Sequence, residues 1–343
     1  MLDPLGNLQY GMRLVHEKYN MDVTKKSRII AALLLGVVTP LSAHTQQINT
    51  NEVSTDLPHT VLRLPNIHPG RDAVYAYAKR LLTESLRVTE PQYGSFELIV
   101  SDQETAQERQ LRSLEHHMLD VTWSVTSTER ERQFLPIRIP IMAGLLGKRA
   151  LLVREGDTRL KEVKSLNALR AYRAVLGYDW PDTKIFRAND IPVLETTYRA
   201  SFRIVSEGFA DMVPRSVVEI KEELADKALS RGLTIDDHLI ISYPSPIFFF
   251  VGSDNQALAG RIAEGLLRLF ETGKFQELLL AHDNFREGMA LTEGRTVIEI
   301  DNPLLSEQSR LALEKFLPEF AISEAVLKFD ATEPAAPTQV VKQ

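Results

Sequence analysis

Hydroxyl side chains and an arginine lie close together in residues 120–140. Apolar and hydroxyl-bearing residues alternate at the start of this stretch, in the order Val121, Thr122, Trp123, Ser124, Val125 and Thr126. The alternation predicts a strand, and a polar turn at 127–130 brings Arg130 to its carboxyl end. Arginine and hydroxyl groups in that position are suited to binding an anion. We therefore expect one wall of a ligand cleft here, with a second lobe forming the other wall.

Motifs for catalysis and metal binding are weak. His116 and His117 are adjacent, so on a helix they would point about 100° apart and could not bind one metal together. The sequence Asp236-Asp237-His238 is expected to form a turn. No Gly-x-Ser-x-Gly, Gly-x-Gly-x-x-Gly or Walker motif is present. We predict a protein that is not an enzyme, without a metal or cofactor.

Composition narrows the class of protein. The 343 residues suffice for two lobes with separate cores. The net charge of −6 argues against nucleic acid or an anionic membrane surface as the main partner. Because the chain has no cysteine, it can form neither a disulfide nor a thiolate site.

The N-terminal region carries a predicted export signal. Lysine and arginine at 25–28 precede an apolar run at 29–38, and a small residue, Ala43, follows. This order predicts a secretory signal peptide over residues 1–43, with Met21 as an alternative start. The run is shorter than the roughly 20 residues needed to cross a bilayer. A buried helix, the alternative, would lack an amphipathic face. The mature protein is thus expected to be soluble in the periplasm.

Strands and helices alternate along the chain, which predicts an α/β fold. Apolar runs predict strands at 61–65, 96–100, 121–126, 150–153, 184–188, 209–213, 238–243 and 247–251. Helical spacing predicts helices at 72–86, 107–118, 166–175, 194–206, 217–224, 256–270 and 275–280. The first five elements form a βαβαβ unit with parallel strands.

The pattern restarts once along the chain, which predicts two lobes. It crosses between them near 143–149 and 242–247. Residues 57–147 and 243–325 are predicted to form lobe one, with lobe two, 148–242, inserted and a hinge between them. Within the extension from 283 to 330 we expect one amphipathic helix, near 308–320. Residues 331–343 are predicted to be a disordered tail.

This pattern resembles the periplasmic solute-binding proteins of the polar amino-acid uptake family, which have the type II periplasmic-binding fold. The resemblance covers about residues 57–282. It rests on Asp120-Val-Thr-Trp, Thr126-Ser-Thr-Glu-Arg130, Phe134-Leu-Pro136, Gly208-Phe-Ala-Asp211, Phe248-Phe-Phe-Val251, Leu258 and Gly273-Lys-Phe275. It implies that Arg130 pairs with a ligand carboxylate, with Ser124 and Thr126 as further donors.

The sequence departs from the family at the second wall. Arg215 and Ser216 stand where family members usually place the acid that binds a ligand ammonium. The turn at 177–183 contains Asp179 and Trp180 in place of a Gly-Thr-Thr-like sequence. These departures predict an anionic ligand, with Trp180 or Tyr178 stacking on its apolar part.

Each candidate also has a structural alternative. Arg130 could be a solvated turn residue in a charge run, and Arg215 could pair with Glu219 four residues later. Trp123 could lie in the core or be exposed in the cleft.

The predicted function is capture of a small polar, carboxylate-bearing ligand by hinge closure, for an ABC-type uptake system. The resemblance implies a monomer that hands its ligand to an inner-membrane permease. A ligand-sensing accessory module and a dehydratase-like enzyme on the same fold remain alternatives.

Overall fold

A computed structural model describes residues 57–66, 72–105, 107–178 and 180–321 of this protein. The predicted signal peptide, Asp179 and the predicted disordered tail lie outside the described residues. Within these ranges, no helix is long and apolar enough to cross a membrane.

The first part of the chain has the predicted alternation of strands and helices. Its elements are β1 (Thr60–Asn66), α1 (Asp72–Arg87), α2 (Glu90–Tyr93), β2 (Phe96–Glu104), α3 (Gln107–Glu115), β3 (Thr122–Val125), α4 (Thr128–Gln133) and β4 (Leu135–Ile137). Helix α1 forms because apolar residues recur on one face, and that face, which includes Tyr77, Leu81 and Leu82, is fully buried. Helix α4 begins at a Ser127 cap, whose Oγ accepts a hydrogen bond from Arg130 N at 3.2 Å.

The second part of the chain builds a separate sheet. Its elements are β5 (Lys148–Arg154), α5 (Leu166–Leu169), β6 (Ala174–Gly177), α6 (Pro181–Ala188), β7 (Val193–Thr196), α7 (Tyr198–Ser206), β8 (Val213–Ser216), α8 (Ile220–Ala225), β9 (Leu233–Ile235) and β10 (Leu239–Ser242), with short 3-10 turns at Leu145–Gly147 and Arg159–Glu162. Strand β5 pairs antiparallel with β8 on one edge and with β9 and β10 on the other. Strands β6 and β7 are parallel, and a bridge between Ala174 and Met212 joins them to this sheet.

The last part of the chain returns to the first lobe. Its elements are β11 (Ile247–Val251), α9 (Gln256–Glu271), α10 (Lys274–Leu280), α11 (Asp283–Ala290), β12 (Thr296–Glu299) and α12 (Glu307–Ala321). Strand β11 lies between β3 and β4 and is antiparallel to both. All five of its side chains are buried, as its unbroken apolar sequence predicted.

Two crossings connect the lobes side by side, at residues 138–147 and 243–246. Tyr243 N donates to Gly147 O at 3.1 Å, and Ile141 N donates to Ile247 O at 3.1 Å. The first crossing must have glycine at 147, because a Cβ there would lie 1.9 Å from Tyr243 O. The crossings are therefore packed backbone against backbone.

Several predicted elements in the second lobe were wrong. Residues 174–175, predicted as the end of a helix, instead begin strand β6, and residues 184–188, predicted as a strand, belong to helix α6. Helix α6 starts at Pro181, which suits the first helical position because its missing N–H needs no partner there.

The assignment of all of 243–325 to lobe one also needs correction. Strand β12 pairs in parallel with β10 and so extends the sheet of the second lobe. Strand β10 pairs with β5 on one side, which leaves its other edge at Leu239–Ser242 to pair with β12. The chain then crosses back a third time to reach α12, the helix predicted for this extension.

Candidate functional site

A cleft of about 710 Å³ lies between the first and second lobes. Helix α4 supplies one wall, and helix α6 with the preceding turn supplies the other. Pro303 and Leu304, which follow β12, also line the cleft. The C-terminal extension therefore contributes to the site, which the sequence did not predict.

The cleft has an excess of positive charge in an otherwise acidic chain. Among the described residues, five cationic and three acidic side chains line it, namely Arg112, Arg130, Arg132, Lys184 and Arg187 against Glu108, Glu129 and Glu195. The net charge of the whole chain is −6. The local excess would attract an anionic ligand into a concave, partly desolvated space.

These cations differ in whether a protein carboxylate neutralises them. Arg187 pairs with Glu195, and Arg112 lies 3.8 Å from Glu108. Arg132 and Lys184 are exposed, and neither forms an ion pair with any other residue that the structure describes. They belong to α4 and α6 and so approach the cleft from opposite lobes. A ligand can thus be contacted by one free cation from each lobe.

Arg130 lies in the cleft wall, but one of the two NH₂ groups of its guanidinium is already hydrogen-bonded. Its Nη1 donates to Ser124 Oγ at 2.7 Å, to Val125 O at 2.6 Å and to Gln107 Oε1 at 3.4 Å. Its Nη2 makes only a longer contact of 3.5 Å with Glu108. Burial lowers the pKa of Arg130 from its ordinary value, although Glu108 and Glu129 partly oppose this shift. Arg130 therefore has one edge left for a ligand carboxylate.

The other predicted residues of the first wall are buried behind Arg130. Ser124 accepts the Arg130 bond and donates to Val125 O at 3.1 Å, and Thr126 Oγ1 donates to Glu131 Oε1 at 2.6 Å. The indole of Trp123 packs on Tyr75 and Phe249 in the core of the first lobe. The structure thus gives Ser124 and Thr126 the role of orienting α4, and places Trp123 in the core alternative.

Arg215 is buried in the second lobe and is held by two acids. Its Nη2 bonds Glu223 Oε1 at 2.6 Å and Glu219 Oε2 at 3.0 Å, and its Nε also donates to Glu223. Burial disfavours the charge, but the two carboxylates outweigh it and raise the pKa of Arg215 above its ordinary value. Ser216 is fully buried beside it. Neither residue lines the cleft, and the alternative pairing of Arg215 with Glu219 is present.

Aromatic residues cover this buried arginine and reach the cleft. The Arg215 guanidinium lies 4.6 Å from the Trp180 ring centroid, a cation–π geometry. Trp180 is partly buried and lines the cleft, and the neighbouring Tyr178 is 65% exposed there. Both line the cleft, and their contact with an apolar part of a ligand stays a prediction.

A second buried cluster fixes α6 in place. Arg149 Nη2 lies 2.8 Å from Asp182 Oδ1, and Arg149 Nε donates to Tyr243 OH at 2.7 Å. Tyr243 OH in turn donates to Asp182. Burial raises the pKa of Tyr243 well above its ordinary value, so the phenol stays protonated and remains a donor. The first turn of α6 is thereby tied to β5 and to the second crossing.

Sequence reasoning missed Arg132, Lys184 and the two residues of the extension. Arg132 stands in a run of alternating charges that is typical of a solvated turn, and Lys184 was placed on a strand. Its position on the first turns of α6 follows only once Pro181 is recognised as a helix start. No group of three or more histidine, aspartate or glutamate side chains suited to a metal occurs among the described residues.

Solved structures share this fold. The probable amino-acid ABC transporter extracellular-binding protein YtmK of Bacillus subtilis is 15% identical to this chain, with a TM-score of 0.50, over 66% of this chain and 98% of that one. This match confirms the two-lobed type II periplasmic-binding fold. An ancestral arginine-binding protein bound to glutamine is 14% identical, with a TM-score of 0.48, over 65% and 98% of the two chains.

A histidine kinase sensor domain with similarity to periplasmic binding proteins is 17% identical, with a TM-score of 0.46, over 66% of this chain and 97% of that one. No protein-family model matches the sequence, and no curated protein matches it. About a third of this chain lies outside the match to the Bacillus subtilis structure.

Proposed function

We propose that this protein is a periplasmic solute-binding protein that takes a small carboxylate-bearing anion into the cleft between its lobes. The fold supports a binding role, since it is also the fold of a probable extracellular-binding protein of an amino-acid transporter. The cleft volume of about 710 Å³ is within the usual range for small-molecule sites. By this proposal the loaded protein delivers its ligand to an inner-membrane permease.

The observation that carries the proposal is a pair of cations that have no carboxylate partner among the described residues. Arg132 and Lys184 enter one cleft from opposite lobes, while Arg112 and Arg187 are next to acids. A carboxylate between Arg132 and Lys184 would make charge-assisted hydrogen bonds to both lobes. It would thereby favour the conformation in which the lobes are close.

Other residues would set the orientation of the ligand. Arg130 can offer Nη2 in place of its long contact with Glu108, and Tyr178 and Trp180 can pack on a flat or apolar part of the ligand.

Calorimetry and thermal shift with a defined panel test the proposal. The panel contains succinate, glutarate, aspartate, glutamate, leucine and arginine. We expect a dicarboxylate or acidic amino acid to bind, and Arg132→Gln and Lys184→Gln each to weaken it by about 1.5–3 kcal/mol, the value of a hydrogen bond to a charged group. Lys164→Gln removes the same charge from an exposed position that does not line the cleft, and should leave binding unchanged.

Two outcomes would contradict the proposal. One is tight binding of arginine with none of the acids. The other is equal effects of Lys164→Gln and Lys184→Gln, which would assign the binding to net charge and not to the cleft. Turnover of a bound acid would favour the enzyme alternative.

Export and the native ligand need separate measurements. N-terminal sequencing of protein from the periplasmic fraction should give His44 as the first residue, after cleavage at Ala43. Mass spectrometry of small molecules released on denaturation of native protein should show a carboxylate. A protein retained in the cytoplasm with an intact N-terminus would refute the assignment to the periplasm.

A further inference from the structure

A third crossing, residues 300–306, links the lobes next to the two crossings already described. It begins on the second lobe, where Ile300 N donates to Ser242 O at 2.9 Å. Asp301 and Asn189 exchange two hydrogen bonds: Asp301 N donates to Asn189 Oδ1 at 3.0 Å, and Asn189 Nδ2 donates to Asp301 O at 2.8 Å. These bonds attach the start of the third crossing to the end of helix α6.

The other end of the third crossing is attached to the first lobe. Thr128 N donates to Leu304 O at 2.8 Å, and Thr128 Oγ1 donates to the same carbonyl at 3.1 Å. Ser306 Oγ and Ser309 Oγ each donate to the Glu131 carboxylate at 2.6 Å. Thr128 and Glu131 both belong to helix α4, the wall that carries Arg130 and Arg132.

The middle of the third crossing is also fixed. Asn302 is buried; its Nδ2 donates to Pro244 O at 2.7 Å, and its Oδ1 accepts from Leu304 N at 3.0 Å. The third crossing is therefore bonded to the second crossing as well as to both lobes.

Leu304 contacts both lobes at the cleft. Its side chain packs on the buried cluster of the second lobe, while its carbonyl accepts the two bonds from Thr128 of the first lobe. Together with Pro303 it lines the cleft. Any increase in the distance between α4 and α6 must break the Thr128 bonds or pull Leu304 away from the second-lobe cluster.

We propose that the third crossing tethers the two lobes across the cleft, and that the Leu304 side chain limits the size of the solute that fits between them. This inference rests on the proposed function for the solute, but the tether itself exists or fails in the ligand-free protein. Two crossings that bend freely would allow a wide range of opening. A third one, hydrogen-bonded at both ends, limits how far the cleft can open.

Thr128→Pro removes the tether bond with little effect on α4. Thr128 is the first residue of the helix, where proline is well tolerated, and the preceding Ser127 is extended, with φ −152° and ψ 159°, as a residue before proline prefers. Thr128→Val keeps the N–H and removes only the hydroxyl bond. Thr128→Pro therefore removes both hydrogen bonds to Leu304 O, and Thr128→Val removes only one of them.

Spin-label distances and amide exchange test the tether without a ligand. The chain has no cysteine, so Glu115→Cys and Ala188→Cys place nitroxides on exposed positions of α3 and α6 in the full-length protein. We expect a narrow distance distribution in the wild type, some broadening in Thr128→Val, and a broader and longer distribution in Thr128→Pro. Exchange of the 300–306 amides should be about tenfold faster in Thr128→Pro, the effect of losing a hydrogen bond.

Identical distributions in wild type and Thr128→Pro, with unchanged exchange and a helical circular dichroism spectrum, would overturn the tether. The size limit is tested with succinate, glutarate and adipate. Leu304→Ala should shift the preference toward the longer acids, whereas Leu311→Ala, an exposed position of α12, should not. Retention of the wild-type rank order by Leu304→Ala would overturn the role of Leu304. Absence of binding by the wild type would instead count against the proposed function, and the distance measurements would still decide the tether.

Discussion

Replacement of Glu131 by alanine is expected to lower the free energy of unfolding by about 3–5 kcal/mol, the usual result of removing one partner from a buried charged cluster. The Glu131 side chain is 4% exposed. Its carboxylate accepts hydrogen bonds from Thr126, Ser306 and Ser309 at 2.6 Å and from Arg138 at 2.8 Å. Alanine would leave four donors without an acceptor and would release α12 from α4.

Glu131→Gln should cost less, because one orientation of the amide can keep all four bonds. Its NH₂ would replace Oε1 and donate to the hydroxyls of Thr126 and Ser309, which can also act as acceptors. Its oxygen would replace Oε2 and accept from Arg138 and Ser306. Only the negative charge is lost, so we expect a decrease of about 1–2 kcal/mol.

Urea denaturation followed by tryptophan fluorescence and circular dichroism measures both variants. The control is Glu129→Ala, an exposed residue of the same helix, which should change stability by less than about 0.5 kcal/mol. If Glu131→Ala is no more destabilising than Glu129→Ala, the carboxylate does not hold the extension. If glutamine and alanine cost the same, the hydrogen-bond geometry at Glu131 is wrong.

Three further predictions concern pH, the crossings and the second lobe. Burial opposes ionisation of Glu131, but the four hydrogen bonds outweigh it and lower its pKa; its contribution is therefore complete above the unfolded value of about 4.3 and is lost as pH falls through the lower folded value. Urea midpoints from pH 7 to pH 3 should show that Glu131→Gln is less acid-sensitive than wild type, and equal slopes would contradict this. Gly147→Ala should destabilise the protein by about 1–3 kcal/mol or more, because its Cβ would overlap a backbone carbonyl. Gly260 lies in a helix with open space around it, so Gly260→Ala should stabilise the protein by about 0.5–1 kcal/mol. Thermal melts with the opposite order would refute this. Arg215→Ala leaves Glu223 buried without its cation and should cost about 3–5 kcal/mol in the same melts, and a loss below about 1 kcal/mol would contradict the buried pairing.

The long elements of the first lobe could be predicted because their local patterns agree with their burial, whereas helix α4 was predicted only as a polar turn. The apolar face of α1 and the unbroken run of β11 are buried in the structure. In the second lobe, β6 is four buried residues between polar turns, too short for a period to be measured. The α6 sequence has buried residues at 183, 185 and 186, a spacing that fits a short strand as well as a helix. Only the start at Pro181 separates the two.

The location of the cleft walls could be predicted, but the partners of the arginines could not. Arg130 is held by Gln107, 23 residues earlier, and Ser124, and Arg215 by Glu223, eight residues later. Which acceptor an arginine finds depends on how the elements pack, and no local period contains that information. The bond of Thr128 to Leu304 joins residues 176 positions apart. The local sequence of α4 carries no sign of this hydrogen bond.

The buried cations near the cleft should contribute to stability, and the exposed cations should contribute to ligand binding. A buried guanidinium must be paired, since an uncompensated charge in the interior is costly; Arg215 and Arg149 have their carboxylates on the protein and have little left for a ligand. A cation that binds a solute must keep its charge available, and this requires exposure, as at Arg132 and Lys184. Variants of Arg215 and Arg149 should therefore lower the melting temperature of the protein even without a ligand. Variants of the exposed pair should leave that melting temperature unchanged and reduce only the increase that a dicarboxylate produces. The opposite result, in which variants of the buried arginines reduce only the stabilisation by a dicarboxylate, would place the solute behind Trp180, against Arg215.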